Sequence, residues 1–148
     1  MNAMADARLV THLGHDFAVK VELDDRAFLF PAGKPVIHLV FSTNGKLIHV
    51  EAVFPFNASR TPPRLLSLDL EDARELGRRL VEAVHQARSQ LAITSSMRVA
   101  INVVANGYHL QIGDMNQATD LYLSAGCIWR VCQGILRITD HIAPIESN

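Results

Sequence analysis

Two Asn-Gly dipeptides, Asn44-Gly45 and Asn106-Gly107, each interrupt a stretch in which apolar and polar residues alternate. Asn-Gly favours the type I′ turn of a two-residue β-hairpin, because both central residues of that turn need a positive φ. Alternation over four to eight residues is typical of a strand with one buried face. The sequence therefore predicts two β-hairpins, over residues 35–54 and 97–112.

The register of the first hairpin follows if Asn44-Gly45 is its whole loop. His38 then lies opposite Glu51, and Phe41 lies opposite Ile48. One face is apolar in this register, and a shift of one residue in one strand would mix the two faces. The expected apolar face consists of Ile37, Leu39, Phe41, Ile48, Val50, Ala52 and Phe54. Around Asn106-Gly107 the corresponding apolar set is Val99, Ile101, Val103, Ala105, Tyr108, Leu110 and Ile112.

Three tracts predict helices. Met4–Leu13 is expected to form a short helix. Residues 69–91 and 116–139 are longer and have apolar residues spaced by three and four, the pattern of an amphipathic helix. Asp69 is the expected N-cap of the first long helix. Gly126 weakens the second, so a pair of strands broken near that glycine is the alternative.

Together these elements predict an α+β fold. Alternation from Phe17 to Leu23 adds one strand to the four strands of the hairpins. Strands joined by tight turns are antiparallel, and a sheet with one apolar face must be covered. We therefore expect an antiparallel sheet of about five strands with two long helices packed on one face. Residues 1–148 would form a single domain.

The charge and apolar patterning of the chain argue against several function classes. The chain has 14 Lys and Arg residues against 15 Asp and Glu residues, a formal net charge of −1. It therefore lacks the basic field that attracts nucleic acid. We find no apolar run of membrane-spanning length and no signal-peptide pattern in the first residues. The expectation is a cytoplasmic protein that binds neither nucleic acid nor a membrane.

Three polar residues, His38, His49 and Glu51, share the polar face of the first hairpin, and His109 lies on the matching face of the second. Two imidazoles and a carboxylate are the ligand types of a mononuclear metal site with open positions. A solvated sheet face carries the same residue types, and a metal site also needs supporting hydrogen bonds that a sequence does not show. We therefore treat these four residues as candidates for ligand binding. None is assigned as a catalytic residue or metal ligand, and no cofactor is predicted.

The two cysteines, Cys127 and Cys132, are five residues apart, which points them in different directions on a helix. This spacing disfavours a disulfide between them. Cys132 falls on the apolar stripe of the last predicted helix, so we expect it in the core. Cys127 falls on the polar stripe and is expected to be an exposed thiol. Trp129 and Tyr122 are expected to be core or interface anchors.

The polar face of the predicted sheet also carries apolar residues, among them Val40, Val53 and Val104. A mixed face of this kind indicates partial cover by another subunit or by a ligand. Our functional hypothesis is therefore a non-enzymatic interaction module, a cytoplasmic homodimer that binds a protein or a small apolar ligand. The alternative is a metal-dependent enzyme that uses the two histidines and the glutamate of the first hairpin.

Overall fold

A computed structural model describes residues 17–30, 33–55, 64–113 and 118–143. Within these ranges the chain has an α+β architecture of two antiparallel sheets and two helices. The elements follow one another as β1 (Phe17–Glu22), β2 (Phe28–Phe30), β3 (Lys34–Pro35), β4 (His38–Thr43), β5 (Ile48–Val53), β6 (Arg64–Leu68), α1 (Leu70–Gln86), β7 (Gln90–Ile93), β8 (Arg98–Val104), β9 (Gly107–Gly113), β10 (Ala118–Ser124) and α2 (Ala125–Ile142). The short helix predicted at Met4–Leu13 lies outside the described residues.

The strands form two sheets rather than one. The four-stranded sheet has the spatial order β1-β4-β5-β6, and the six-stranded sheet has the order β3-β2-β10-β9-β8-β7. The α+β class with antiparallel pairing is as predicted, whereas the single sheet of about five strands is wrong. Each hairpin was identified by its own turn, but the edge to which it adds depends on contacts distant in sequence. The two hairpins lie in different sheets.

The first hairpin pairs two residues away from the predicted register. His38 lies opposite Val53 instead of Glu51, and Phe41 lies opposite Val50. A shift of two keeps every side chain on its face, because side chains of a strand alternate with a period of two. The strand residues expected on the apolar face are therefore buried, although their facing partners differ from the prediction.

Side-chain hydrogen bonds explain the wider first turn. Strand pairing ends at Thr43 and Ile48, so the loop has four residues rather than two. The Thr43 hydroxyl accepts a hydrogen bond from the N–H of Gly45 at 2.9 Å, and the Asn44 side-chain oxygen accepts one from the N–H of Lys46 at 3.1 Å. Bonds of this kind stabilise a turn that needs no type I′ backbone.

The second hairpin is also displaced by two residues. Val104 pairs with Gly107, so Ala105 and Asn106 form the loop. Asn106 has a φ of 66°, in the left-handed region that asparagine tolerates. Gly107 is required for a different reason, since a Cβ there would lie 2.4 Å from the carbonyl oxygen of Leu123 on the neighbouring strand.

Helix α1 begins directly after Asp69, the predicted N-cap. The Asp69 side chain accepts a hydrogen bond from the N–H of Asp72 at 2.8 Å, and the Asp72 side chain accepts one from the N–H of Asp69 at 3.2 Å. This reciprocal pair is a capping box. The helix ends where Ala87 takes a left-handed conformation with a φ of 53°. The predicted end near Leu91 is therefore too late, because Leu91 belongs to β7.

The tract 116–139, predicted to be one helix, contains a strand followed by a helix. Strand β10 ends at Ser124 and α2 begins at the next residue. Leu121 and Leu123 are buried and alternate with more exposed neighbours, a period of two that the helical pattern beside it concealed. The alternative placed a break near Gly126, within two residues of the observed boundary, but expected a second strand after it.

One apolar core joins the inner faces of both sheets and the helices. Helix α2 lies between the sheets, in contact with β1 and β4 on one side and with β9 and β10 on the other. Helix α1 packs on α2 and on β7 and β8. The predicted placement of both helices on one face of a single sheet is therefore wrong.

Neither described helix combines the length and the apolar character needed to cross a membrane.

Candidate functional site

The outer face of the four-stranded sheet carries His38, His49 and Glu51. The observed register separates the expected pair, since Glu51 faces Val40 on one side and Arg64 on the other. Nη2 of Arg64 lies 3.9 Å from Oε2 of Glu51. Among the described residues, His, Cys, Asp and Glu side chains form no group of three that could hold a metal ion. A role of the three residues in ligand binding stays a prediction.

Both histidines of this face have a pKa below the ordinary value of 6.5. Burial is the largest cause in each case. Lys20 lowers the pKa of His38 further and Arg64 lowers that of His49, while a nearby carboxylate opposes each shift. The lowered pKa favours the neutral form of both imidazoles at pH 7. Nδ1 of His49 lies 2.9 Å from the hydroxyl oxygen of Ser67, so this ring is held by a neutral hydrogen bond.

The outer face of the six-stranded sheet carries a cluster of four rings, Phe28, Phe30, His109 and Tyr122, which we call the aromatic patch. The ring centroids of His109 and Tyr122 are 5.5 Å apart in an edge-to-face arrangement. Those of Phe30 and His109 are 6.5 Å apart, and those of the two phenylalanines 6.2 Å. Rings at these distances attract one another and restrain each other's orientation. Phe28 is nevertheless 37% exposed and Phe30 41%.

Strand alternation and register place the aromatic patch on the outside. In β2, Leu29 is buried and its two phenylalanine neighbours point outward. Tyr122 lies between Phe28 on β2 and His109 on β9. The Tyr122 hydroxyl donates a hydrogen bond to the carbonyl oxygen of Asn106 at 3.1 Å, which fixes the ring over the end of the second hairpin. His109 is thus brought together with aromatic residues, and not with His38 or His49 of the other sheet.

Amide and carboxyl side chains continue the outer face beside the aromatic patch. Asn102 lies opposite His109, and Gln111 lies opposite Asp120. The Asn102 side-chain nitrogen donates a hydrogen bond to the Gln111 side-chain oxygen at 3.4 Å. These groups give the centre of the face hydrogen-bonding capacity next to its apolar rings.

The opposite end of the same face is apolar and basic. Leu91 and Ile93 of the edge strand β7 are exposed. Arg98 lies opposite Ile93 and is exposed as well. The outer face of the six-stranded sheet therefore has apolar side chains at both ends, with Asp120 near the aromatic patch and Arg98 near the β7 end.

The aromatic patch could not be predicted from the sequence. The local sequence signal at Phe28–Phe30 is the alternation of two phenylalanines about one leucine. Tyr122 and His109 join the patch through strand pairings that no local pattern reveals.

Both cysteines are buried. Cys132 lies in the core as predicted, and burial raises the pKa of its thiol to about 11. The prediction of an exposed Cys127 is wrong, since it is 1% exposed. The loop between β1 and β2 covers this thiol, and the backbone N–H of Asp24 donates a hydrogen bond to Sγ of Cys127 at 3.2 Å. Trp129, in contrast, is 47% exposed on α2 and is not a core residue.

A second contact fixes the same loop at the start of α2. The Ser124 hydroxyl donates a hydrogen bond to Oδ2 of Asp24 at 2.5 Å. This bond is the largest cause of the lowered pKa of Asp24. The two residues are 100 positions apart in the chain, so the contact is a consequence of the fold that the sequence does not show locally.

No family model matches the chain, and no curated protein matches it. The solved structures similar to this chain include one of SsgB, mutations in which correlate to longitudinal cell division during sporulation of Streptomyces coelicolor. The TM-score is 0.47 with 18% sequence identity, over 90% of this chain and 94% of that chain. A similarity of this size does not extend to function.

Proposed function

We propose that this protein is a non-enzymatic cytoplasmic interaction module that acts as a homodimer through the outer face of its six-stranded sheet. The observation that carries the proposal is the aromatic patch, in which Phe28 and Phe30 are more than a third exposed. Aromatic residues are enriched at the centres of protein interfaces, and contiguous apolar surface on a soluble protein marks a contact site. The rings also restrain one another before any contact forms, which reduces the entropy lost on binding.

A second copy of the chain suits this face because the face is self-complementary. In a two-fold interface, residue i contacts residue j and residue j contacts residue i. A two-fold axis parallel to the strands keeps the level of each residue along the strands. It places β2 of one copy over β7 of the other, with Phe30 at the level of Leu91. The same operation places Asp120 of one copy over Ala100 of the other, two residues from Arg98, so the long Arg98 side chain can extend towards the opposite charge at each end.

Sedimentation velocity tests the interface. We expect the wild type to be a dimer and the double variant Phe28→Ser/Phe30→Ser to dissociate roughly tenfold or more readily, because interface aromatics carry most of the binding energy. Leu47→Ser is the matched control, since Leu47 is 41% exposed but lies in the loop between β4 and β5. A wild type that is monomeric at its solubility limit would refute the proposal. So would a dimer that the double variant leaves intact.

Charge reversal tests the orientation of the two copies. Asp120→Arg and Arg98→Asp should each weaken the dimer, because each places like charges opposite one another. The combined variant exchanges the two charges and should restore the dimer. Single variants that sediment as the wild type, or a combined variant weaker than both, would rule out the proposed axis.

A further inference from the structure

A second surface lies where α2 runs beside β1, away from the outer face of the six-stranded sheet. In the part of the chain that the structure describes, β1 is an edge strand with β4 as its neighbour. An open groove of about 480 Å³ follows this edge. Its walls are β1 from Val19 to Glu22 and the face of α2 that carries Arg130, Leu136 and Arg137.

The backbone of β1 directs hydrogen-bonding groups towards the groove. The N–H of Leu23 donates to the carbonyl of Ile37, the residue that precedes β4, at 2.9 Å. Because ladder bonds of an antiparallel pair alternate residue by residue, the N–H and C=O groups of Lys20 and Glu22 point away from β4. Arg130 agrees with this direction, since its guanidinium donates a hydrogen bond to the carbonyl oxygen of Glu22 at 3.2 Å.

The α2 wall combines an apolar contact with positive charge. Leu136 is 53% exposed beside the groove, and Arg130 and Arg137 are exposed on either side of Gln133. Lys20 adds a third cation to the lining residues, against the single carboxylate of Glu22. Among the described residues this strand edge is unpaired, and an unpaired edge beside a net positive lining fits an extended chain that carries negative charge.

We propose that this groove binds an extended acidic segment of another protein by strand addition to β1. Backbone bonds to Lys20 and to the N–H of Glu22 would supply affinity, and alternate side chains of the added strand would face α2. Acidic side chains on that face would meet Arg130 and Arg137, with an apolar residue against Leu136. A second copy of this chain is disfavoured as the occupant, because pairing β1 with itself would bring two positively lined grooves together.

Two peptide probes test the proposal with the full-length chain. The first alternates valine and glutamate over the length of β1, six residues, and carries a fluorophore. The second has lysine in place of glutamate. We expect the fluorescence anisotropy to report binding of the glutamate peptide alone, weaker at high salt because exposed charges are screened. Hydrogen exchange at the amide of Lys20 should slow when the glutamate peptide is bound.

Substitutions separate the contribution of backbone hydrogen bonds to peptide binding from the contribution of charge. Arg130→Ala/Arg137→Ala should weaken binding about tenfold, the sum of two exposed ion pairs. Arg88→Ala, an exposed arginine outside the groove, is the matched control. Lys20→Pro removes the outward N–H and should abolish binding, whereas Lys20→Ala keeps that N–H and should have a small effect. Proline is tolerated in edge strands, and circular dichroism verifies the fold of each variant.

Three results would overturn the proposal. One is equal binding of the two peptides, and another is binding that survives Lys20→Pro in a folded protein. The third is a chain that binds neither peptide. If Lys20→Pro then also dissociates a dimer, the groove is a contact between copies of this chain.

Discussion

Gly134 of α2 faces Val21 of β1 so closely that a Cβ on the glycine would lie 2.6 Å from Cγ2 of the valine. The Phe41 ring lies 3.4 Å from the same position. Val21 is buried and β-branched, so it has little freedom to move aside. The glycine therefore sets the distance between α2 and the four-stranded sheet, and with it the width of the groove.

Gly134→Ala should destabilise the protein by about 1–3 kcal/mol, since a methyl group inserted into a packed contact costs more than the helix propensity gained. Gly126→Ala is the matched control in the same helix, because a Cβ there meets nothing within 4 Å. That variant should be neutral or stabilised by up to about 1 kcal/mol. Urea denaturation of both measures the difference, and a stabilised Gly134→Ala would contradict the packing of α2 on β1.

The faces of the first hairpin give a second prediction. Phe41 is 1% exposed in the core, so Phe41→Ala should lower the free energy of unfolding by roughly 3–5 kcal/mol. His38 is half-buried on the outer face, and His38→Ala should cost less than about 1 kcal/mol. Denaturant titration gives both values. Reversed magnitudes would mean that the two faces are exchanged.

The buried carboxylate of Asp72 gives a third prediction. It accepts hydrogen bonds from the hydroxyls of Thr94 and Ser96 and from the backbone N–H of Asp69. Asp72→Ala leaves these donors without a partner and removes the capping box, so we expect a loss of roughly 2–4 kcal/mol. Glu71→Ala, an exposed acidic residue of the same turn, should change stability by less than about 0.5 kcal/mol. If Asp72→Ala and Glu71→Ala lower the free energy of unfolding by similar amounts in thermal or urea unfolding, the Asp72 contacts contribute little to stability.

Local signals predicted the elements of this fold better than their assembly. The N-cap at Asp69 and the buried face of the first hairpin follow from residues close in the chain. The buried face of the second hairpin was predicted in part, since Val103 and Ala105, expected on it, are exposed next to the turn. The register of the first hairpin is displaced by two residues because the side chains of Thr43 and Asn44 hydrogen-bond within a four-residue loop. The register of the second is displaced by two because Gly107 lies in β9, close to the carbonyl oxygen of Leu123, and not in the loop. A displacement of two preserves the pattern of buried residues, so the apolar pattern cannot detect it.

The candidate sites depended on pairings distant in sequence, and they were the least predictable part. Phe28 reaches Tyr122 through the pairing of β2 with β10, across most of the chain. Cys127 is covered by a loop about one hundred residues earlier, so its position on a helical stripe gave the wrong exposure. Residue types identified a mixed sheet face, but the observed pairings determined which residues share it.

The depressed pKa of His49 gives the last prediction. Burial and Arg64 lower it below 6.5, and Glu51 opposes them. The unfolded chain therefore takes up more protons than the folded protein as the pH falls through about 6.5. The stability associated with the neutral ring is fully present above that pH and is lost as the pH falls towards the folded-state pKa.

The free energy of unfolding should accordingly decrease between about pH 8 and about pH 5.5, measured by urea titration at each pH. His49→Gln places a neutral amide within reach of the Ser67 hydroxyl and cannot take up the proton, so the decrease should be smaller in this variant. His38 accounts for part of the remainder, because burial and Lys20 lower its pKa as well. His38→Gln/His49→Gln should therefore flatten the profile further than either single variant. A decrease in stability that is the same in wild type and double variant would assign the pH dependence to other groups.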